Sequence, residues 1–156
     1  NLQFNRPYVS VNNHIYEILR LMADFRLTVI PVVDKEDKYV GMITQEAILT
    51  QMGNMGSFTV PGSIIVLEMN RKDYSLAKIS SIIEQENAAV LSTFITSDLK
   101  SSLAEVTIKI NKKEISRIIA SLERFGFDIK ASFHESDYLN DSMKERYESL
   151  MMYLNV

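Results

Sequence analysis

Cysteine is absent from the 156-residue chain. That removes disulfides, thiolate metal sites and cysteine nucleophiles together, and it suits a reducing, cytoplasmic setting. Histidine is nearly absent, with His14 and His134 alone, so a multi-histidine metal centre is not expected and no metal site is assigned. Net charge is small, −3, and the sequence pI is about 5.4. Nothing in that balance draws the chain to phosphate backbones or anionic lipid, so neither nucleic acid nor membrane is expected as a partner. No run is long and apolar enough to span a bilayer: the long uncharged stretch Ile48 to Leu67 is broken by Gln51, Gly53, Asn54, Gly56, Ser57, Pro61 and Gly62. The opening Asn1-Leu-Gln-Phe lacks an initiator Met and a basic-then-apolar signal pattern, and it is expected to be the cut end of something longer.

Hydrophobic residues make up 46% and charged residues 24%, ordinary globular usage. A chain of this length hides roughly 70% of its unfolded surface, enough for one or two small cores. Three of the five glycines and one of the three prolines fall in Gly53-Asn-Met-Gly-Ser-Phe-Thr-Val-Pro-Gly62, which places a domain boundary there. Residues 1–56 then form one unit, 57–62 a linker, 63–135 a second unit and 136–156 a C-terminal helix.

In the first unit the expected order is strand, helix, strand, strand, helix. Tyr8 to Val11 is extended, and Asn12 or Asn13 caps a helix whose stripe is Ile15, Ile18, Leu19 and Met22. Thr28-Val-Ile-Pro-Val-Val-Asp34 is apolar and β-branched, the pattern of a strand buried on both faces, with Pro31 marking an edge or irregularity. Tyr39 to Thr44 is the next strand, followed by a helix from Gln45 to Met52 with Ile48, Leu49 and Met52 inward.

After the linker the expected order is βαββαβ. Strands fall at Ser63 to Met69, Val90 to Thr96, Leu103 to Ile110 and Asp128 to Phe133, with helices at Asp73 to Glu86 and Lys112 to Phe125. Asn111 and Glu114 have the spacing of a capping box, and Gly126 stands where helices end in a left-handed residue. Ile79-Ser-Ser-Ile-Ile83 and Ile115-Ser-Arg-Ile-Ile119 match at four of five positions, an internal repeat consistent with two tandem strand-helix-strand halves. The fold class is therefore α+β, with a ferredoxin-like second unit. In the tail, Met143, Tyr147, Leu150, Met151 and Leu154 form one stripe of an amphipathic helix, suited to packing on its own domain or to forming a dimer.

The combination -Val29-Ile-Pro-Val-Val-Asp34- with Gly41-Met-Ile-Thr44 and a short following helix resembles the second half of a CBS domain, and the strand and helix from Tyr8 complete one such motif. Residues 63–135 resemble an ACT or ACT-like domain through element order. Together the two are similar to the CBS-plus-ACT regulators grouped with acetoin utilisation proteins. The resemblance implies a non-enzymatic regulator with no catalytic residues. CBS motifs pair to enclose an adenine nucleotide, and ACT domains pair around an amino acid, so a homodimer, or a second CBS motif from upstream, is implied.

The resemblance places a nucleotide against Thr28, Val29, Ile30 and Pro31 and the hydroxyl of Thr44. The family pattern Gly-x-x-Thr-x-x-Asp ends in an acid for the ribose hydroxyls, but this chain has Ala47 there. Losing that carboxylate removes a bond worth about 1.5–3 kcal/mol. In the ACT-like part the ligand loop is Asn70, Arg71, Lys72, Asp73, Tyr74, Ser75 and Leu76. Arg71 or Lys72 and helix amides would attract a carboxylate, whereas Asp73 is a candidate to cap the helix and use those amides itself, and Tyr74 brings bulk where the family has glycine. His134, beside Glu135 and Asp137, reads as a surface residue, as does His14. A scaffold with both pockets degenerate is the competing function. An RNA platform is a remote third, because Glu105-Val-Thr-Ile-Lys-Ile110 carries no stacking aromatic.

Overall fold

The computed structural model describes residues 7–96 and 101–134. The chain divides into two compact units, Asn1–Phe58 and Thr59–Val156. The expected tail helix, with Met143 to Leu154, and the carboxylates Glu135 and Asp137 lie outside the described residues.

The first unit runs β1 (Val9–Ser10), α1 (Ile15–Asp24), β2 (Val29–Val33), β3 (Tyr39–Thr44) and α2 (Gln45–Gly53). Its sheet order is β1-β2-β3, with β1 parallel and β3 antiparallel to β2. Val9, Ile18, Met22, Ile30 and Ile48 are buried together as its core. A helical turn, α3 (Gly56–Thr59), follows.

Three local readings are corrected. The N-cap of α1 is His14 rather than Asn12 or Asn13: its Nδ1 accepts the Tyr16 N–H at 3.2 Å, while Glu17 Oε2 accepts the His14 N–H at 3.1 Å. Asn13 instead accepts the Ser10 N–H at 2.6 Å, closing the turn before the helix. The strand β2 is buried on one face only, since Ile30 is fully buried while Val29 is 42% exposed. Both helices cover the Ile30 side, so the apolar residues between are left facing outward. Pro31 sits in the central strand, but β1 covers only Val32 and Val33, so the missing N–H of Pro31 costs no bond on that side. Leu49 is 65% exposed, and of the expected α2 stripe Ile48 and Met52 turn inward.

The second unit runs β4 (Ser63–Asn70), a 3₁₀ turn (Arg71–Asp73), α4 (Leu76–Gln85), β5 (Val90–Thr96), β6 (Leu103–Ile110), α5 (Ser116–Arg124) and β7 (Asp128–Phe133). All pairings in its sheet are antiparallel, in the order β5-β6-β4-β7. Alternation along β4 and β6 sends Ile65, Leu67, Val106, Ile108 and Ile110 into one core with Ile79, Ile83, Ile118 and Leu122 of the helices.

Both helix starts differ from expectation. Ser75, not Asp73, caps α4, its Oγ accepting the Lys78 N–H at 3.3 Å. Asn111 does not cap α5, because its Oδ1 accepts the distant Ala89 N–H at 2.7 Å; the helix opens at Ser116, whose N–H donates to Glu114 at 2.9 Å. The ends share one device. At α1, α4 and α5 the residues Arg26, Asn87 and Gly126 have positive φ, and the following Leu27, Ala88 and Phe127 donate back to Met22, Ile83 and Leu122, the Schellman pattern.

Candidate functional site

In the first unit, β2 and β3 bring the expected nucleotide residues to one surface. Val29 lies opposite Thr44 and Pro31 opposite Met42, so these four side chains share the face turned away from Ile30 and Ile43. Met42 is 62% exposed. Ile30 differs: its side chain is fully buried, which leaves only its backbone for a ligand. Thr28 joins the group through its carbonyl, which accepts the Gln45 N–H at 2.9 Å and ties the start of β2 to the start of α2.

Thr44 is the N-cap of α2, its Oγ1 accepting the Ala47 N–H at 3.1 Å. A hydroxyl has one donor and two acceptor positions, so its proton remains available to a ligand. Ala47 is exposed and brings no carboxylate to this corner. The surface can stack one side of an apolar ring and offer one hydroxyl, and Val29, Pro31, Met42 and Thr44 bring no charge for a phosphate.

A second concavity of about 370 Å³ opens on the helical side, lined by Leu19, Met22, Ala23, Arg26, Leu27, Thr28, Gln45, Ile48 and Leu49. Of these only Thr28 belongs to the expected site. Two of the lining residues, the exposed Leu49 and the left-handed Arg26, have features that do not show in the residue pattern.

In the second unit, the loop Asn70 to Leu76 is split among three environments. Asn70, Arg71, Lys72 and Asp73 line a cleft of about 420 Å³ with Ser101 and Ser102, and the Arg71 N–H donates to the Ser102 carbonyl at 2.9 Å. Asn70 and Asp73 also line a cleft of about 380 Å³ with Glu68, Met69, Lys78 and the turn Phe125 to Asp128. Glu68, Asp73, Lys78 and Asp128 all line this cleft, and the Lys78 ammonium lies 5.2 Å from the centre of the Phe127 ring. Tyr74 packs inward against the core, Ser75 is spent as a cap, and Leu76 opens α4. The neighbours Ser101, Ser102 and Phe125 to Asp128 are not indicated by any local spacing. Strand order is the signal that finds them, since Asn70 pairs with Leu103 and Glu68 with Asp128.

Hydrogen bonds from Asn13 and the His14 backbone hold the Glu17 carboxyl below its ordinary range, and Ser116 does the same for Glu114. Lys130 bonds Glu105 and Glu68 on the outer face of the sheet, and the Glu105 bond chiefly raises its pKa. His14 and His134 are both exposed, and among the described residues no three His, Cys, Asp or Glu side chains converge on a metal position.

Comparison with known proteins bears on the first unit. The magnesium transporter MgtE of Thermus thermophilus is 45% identical over 42 residues, which cover 27% of this chain and 9% of that protein. The chain thus aligns with under a tenth of that relative's length. The family model for the CBS domain matches residues 4–54, which include β1 to α2 and the surface formed by Val29, Pro31 and Thr44. Residues 4–54 are a CBS domain, a family of regulatory, ligand-binding modules rather than catalysts.

Proposed function

We propose that the chain is a non-enzymatic ligand-sensing module in which an adenine nucleotide lies on the outward face of the CBS sheet. The carrying observation is the juxtaposition of Val29, Pro31 and Thr44 on that face, with the Thr44 hydroxyl proton free to donate. The base stacks on Val29 and Pro31, its edge meets the backbone of Thr28 and Ile30, and Thr44 reaches the ribose. Such a surface is open on one side, so a second motif, from upstream sequence or from another chain, closes over the ligand.

The second unit is read as an ACT-like, ferredoxin-fold domain, similar to that of acetoin utilisation type CBS–ACT regulators. Its βαββαβ order and its strand order β5-β6-β4-β7 support this reading. An amino acid would enter by the loop Asn70 to Leu76, with its carboxylate toward Arg71 or Lys72 in the 420 Å³ cleft. The module works in the cytoplasm as a homodimer whose association shifts with ligand, through differential affinity for the two arrangements.

A scaffold without small-molecule ligand is the second reading. Ala47 in place of an acid and the capping of α4 by Ser75 favour it, since each removes an anchoring group. Thermal denaturation of the purified chain against adenine nucleotides and free amino acids separates the two. A saturable rise in Tm with any of them supports sensing, and a flat panel with a concentration-dependent oligomer supports the scaffold.

A further inference from the structure

Of the three helix ends that close on a residue of positive φ, two use residues that such backbone favours, Asn87 and Gly126. The third uses Arg26, at φ 51°. A long side chain in that region gives up conformational energy, which points to a use for the side chain itself. Arg26 lines the groove of about 370 Å³ in the first unit. The groove is mostly apolar, with Leu19 and Met22 from α1, Leu27 after it, and Ile48 and Leu49 from α2. Leu49 leaves 65% of its surface open there. Thr28 and Gln45 add uncharged polar groups, and Arg26 is the one charge in the lining. Among the described residues no carboxylate pairs with Arg26, whereas its neighbour Asp24 is engaged by Arg20 at 3.6 Å.

We propose that this groove binds a small amphiphilic carboxylate, its hydrocarbon part along Leu19, Leu27 and Leu49 and its head group against the Arg26 guanidinium. Size and lining fit such a ligand: small-molecule sites occupy roughly 300–1,000 Å³ and combine mostly apolar walls with a few polar groups that orient the ligand. A planar guanidinium matches a carboxylate with two parallel hydrogen bonds, and the Gln45 amide and Thr28 hydroxyl supply further donors in the same lining. Charge argues against the other occupants. A cation would meet an unpaired positive group. A two-fold contact between copies would bring both Arg26 side chains to one interface, with no carboxylate in the lining to pair them. The groove shares only Thr28 with the proposed nucleotide surface and does not depend on that reading.

Octanoate, octanol and octylammonium, chains of one length with different head groups, test this when titrated into the full chain and followed by amide chemical shifts. Octanoate should shift residues 19–28 and 45–49 saturably and bind about fivefold more tightly than octanol, the upper end for an ion pair that water reaches. Octylammonium should bind more weakly than octanol, and the preference for octanoate should fade in concentrated salt. Arg26→Gly keeps the fold, since glycine suits this backbone, and should reduce octanoate to the affinity of octanol, while Arg26→Lys should keep part of the preference. Leu49→Asp, at an exposed position, should abolish binding of octanoate and octanol alike. Equal affinities for octanoate and octanol in the unsubstituted chain, a preference that survives Arg26→Gly, or shifts confined to other segments would overturn the proposal. Shifts at these residues that follow protein concentration and ignore octanoate would overturn it too, giving the groove to a second copy.

Discussion

Thr44 Oγ1 accepts the N–H of Ala47 at 3.1 Å, which fixes residue 47 in the first turn of α2, directly beside the surface formed by Val29 and Pro31. That is where an acid would face a ribose. Ala47→Asp meets no packing obstacle, because the site is exposed, and a carboxylate in a first helical turn is favourable. The substitution should strengthen adenine nucleotide binding by about one to two decades, from a charge-assisted bond of about 1.5–3 kcal/mol. Isothermal titration of both proteins checks this, and equal affinities would place the ribose elsewhere.

Gly62 permits the entry into β4. A Cβ built there would lie 1.9 Å from the Ile110 carbonyl oxygen, a backbone atom that cannot swing aside. Gly62→Ala must push β4 away from β6 and should cost about 3 kcal/mol, the upper end for overpacking. Chemical denaturation is the measurement, and a loss below about 0.5 kcal/mol would show that the pairing relaxes freely.

The three Schellman ends predict opposite effects at equivalent positions. Gly126 has φ of 83°, so Gly126→Ala should destabilise by about 1 kcal/mol, the cost of a left-handed L-residue. Asn87 has φ of 55°, and Asn87→Gly should be neutral or slightly stabilising. Melting temperatures of the pair should therefore move apart, and a common direction would contradict the device.

Ser121 ties α5 to the end of α4. Its buried Oγ donates to Glu86 Oε1 at 2.8 Å, while Lys112 donates to the Glu86 carbonyl at 2.7 Å. Ser121→Ala leaves that carboxylate oxygen without its donor and should cost about 1–2 kcal/mol. A double-mutant cycle with Glu86→Ala, which removes the acceptor, should show coupling, and strict additivity would mean that the bond contributes nothing.

Acid should loosen the start of α1 early. Glu17 has a lowered pKa in the folded chain because Asn13 and the His14 backbone donate to it. Its contribution is therefore complete above the pKa of an unfolded glutamate and is lost as the pH falls through the lower folded value. Amide exchange at His14, whose N–H the carboxylate accepts, should rise across that acidic window, and Glu17→Gln should remove the dependence.

The strands of this chain are legible in its sequence because β-branched runs between turn residues have few other uses. Val90–Thr96, Leu103–Ile110 and Asp128–Phe133 fall where the residue pattern puts them. Caps are less legible. Asn12, Asn13 and His14 all carry an acceptor, and the choice among them follows from where the chain leaves β1. The Asn111 side chain is taken by Ala89, a partner 22 residues away that no local spacing reveals. For the candidate sites, Thr28 to Pro31 and Thr44 are named by the resemblance to a CBS domain, and it is the register of β2 with β3 that sets Val29 beside Thr44. The clefts around Asn70 depend on strand order, so Ser101, Ser102 and Asp128 join the site only through the position of β4 between β6 and β7.

The most direct measurement is Tm of the full chain titrated with adenine nucleotides, with Val29→Asp, which puts an unpaired charge where the base would stack, run alongside. Ligand sensing at the CBS sheet predicts a saturable rise for at least one nucleotide, equivalent to about 2.7 kcal/mol at a hundredfold excess over Kd, and its loss in the variant. A flat titration for every nucleotide, or a rise that survives Val29→Asp unchanged, would contradict it.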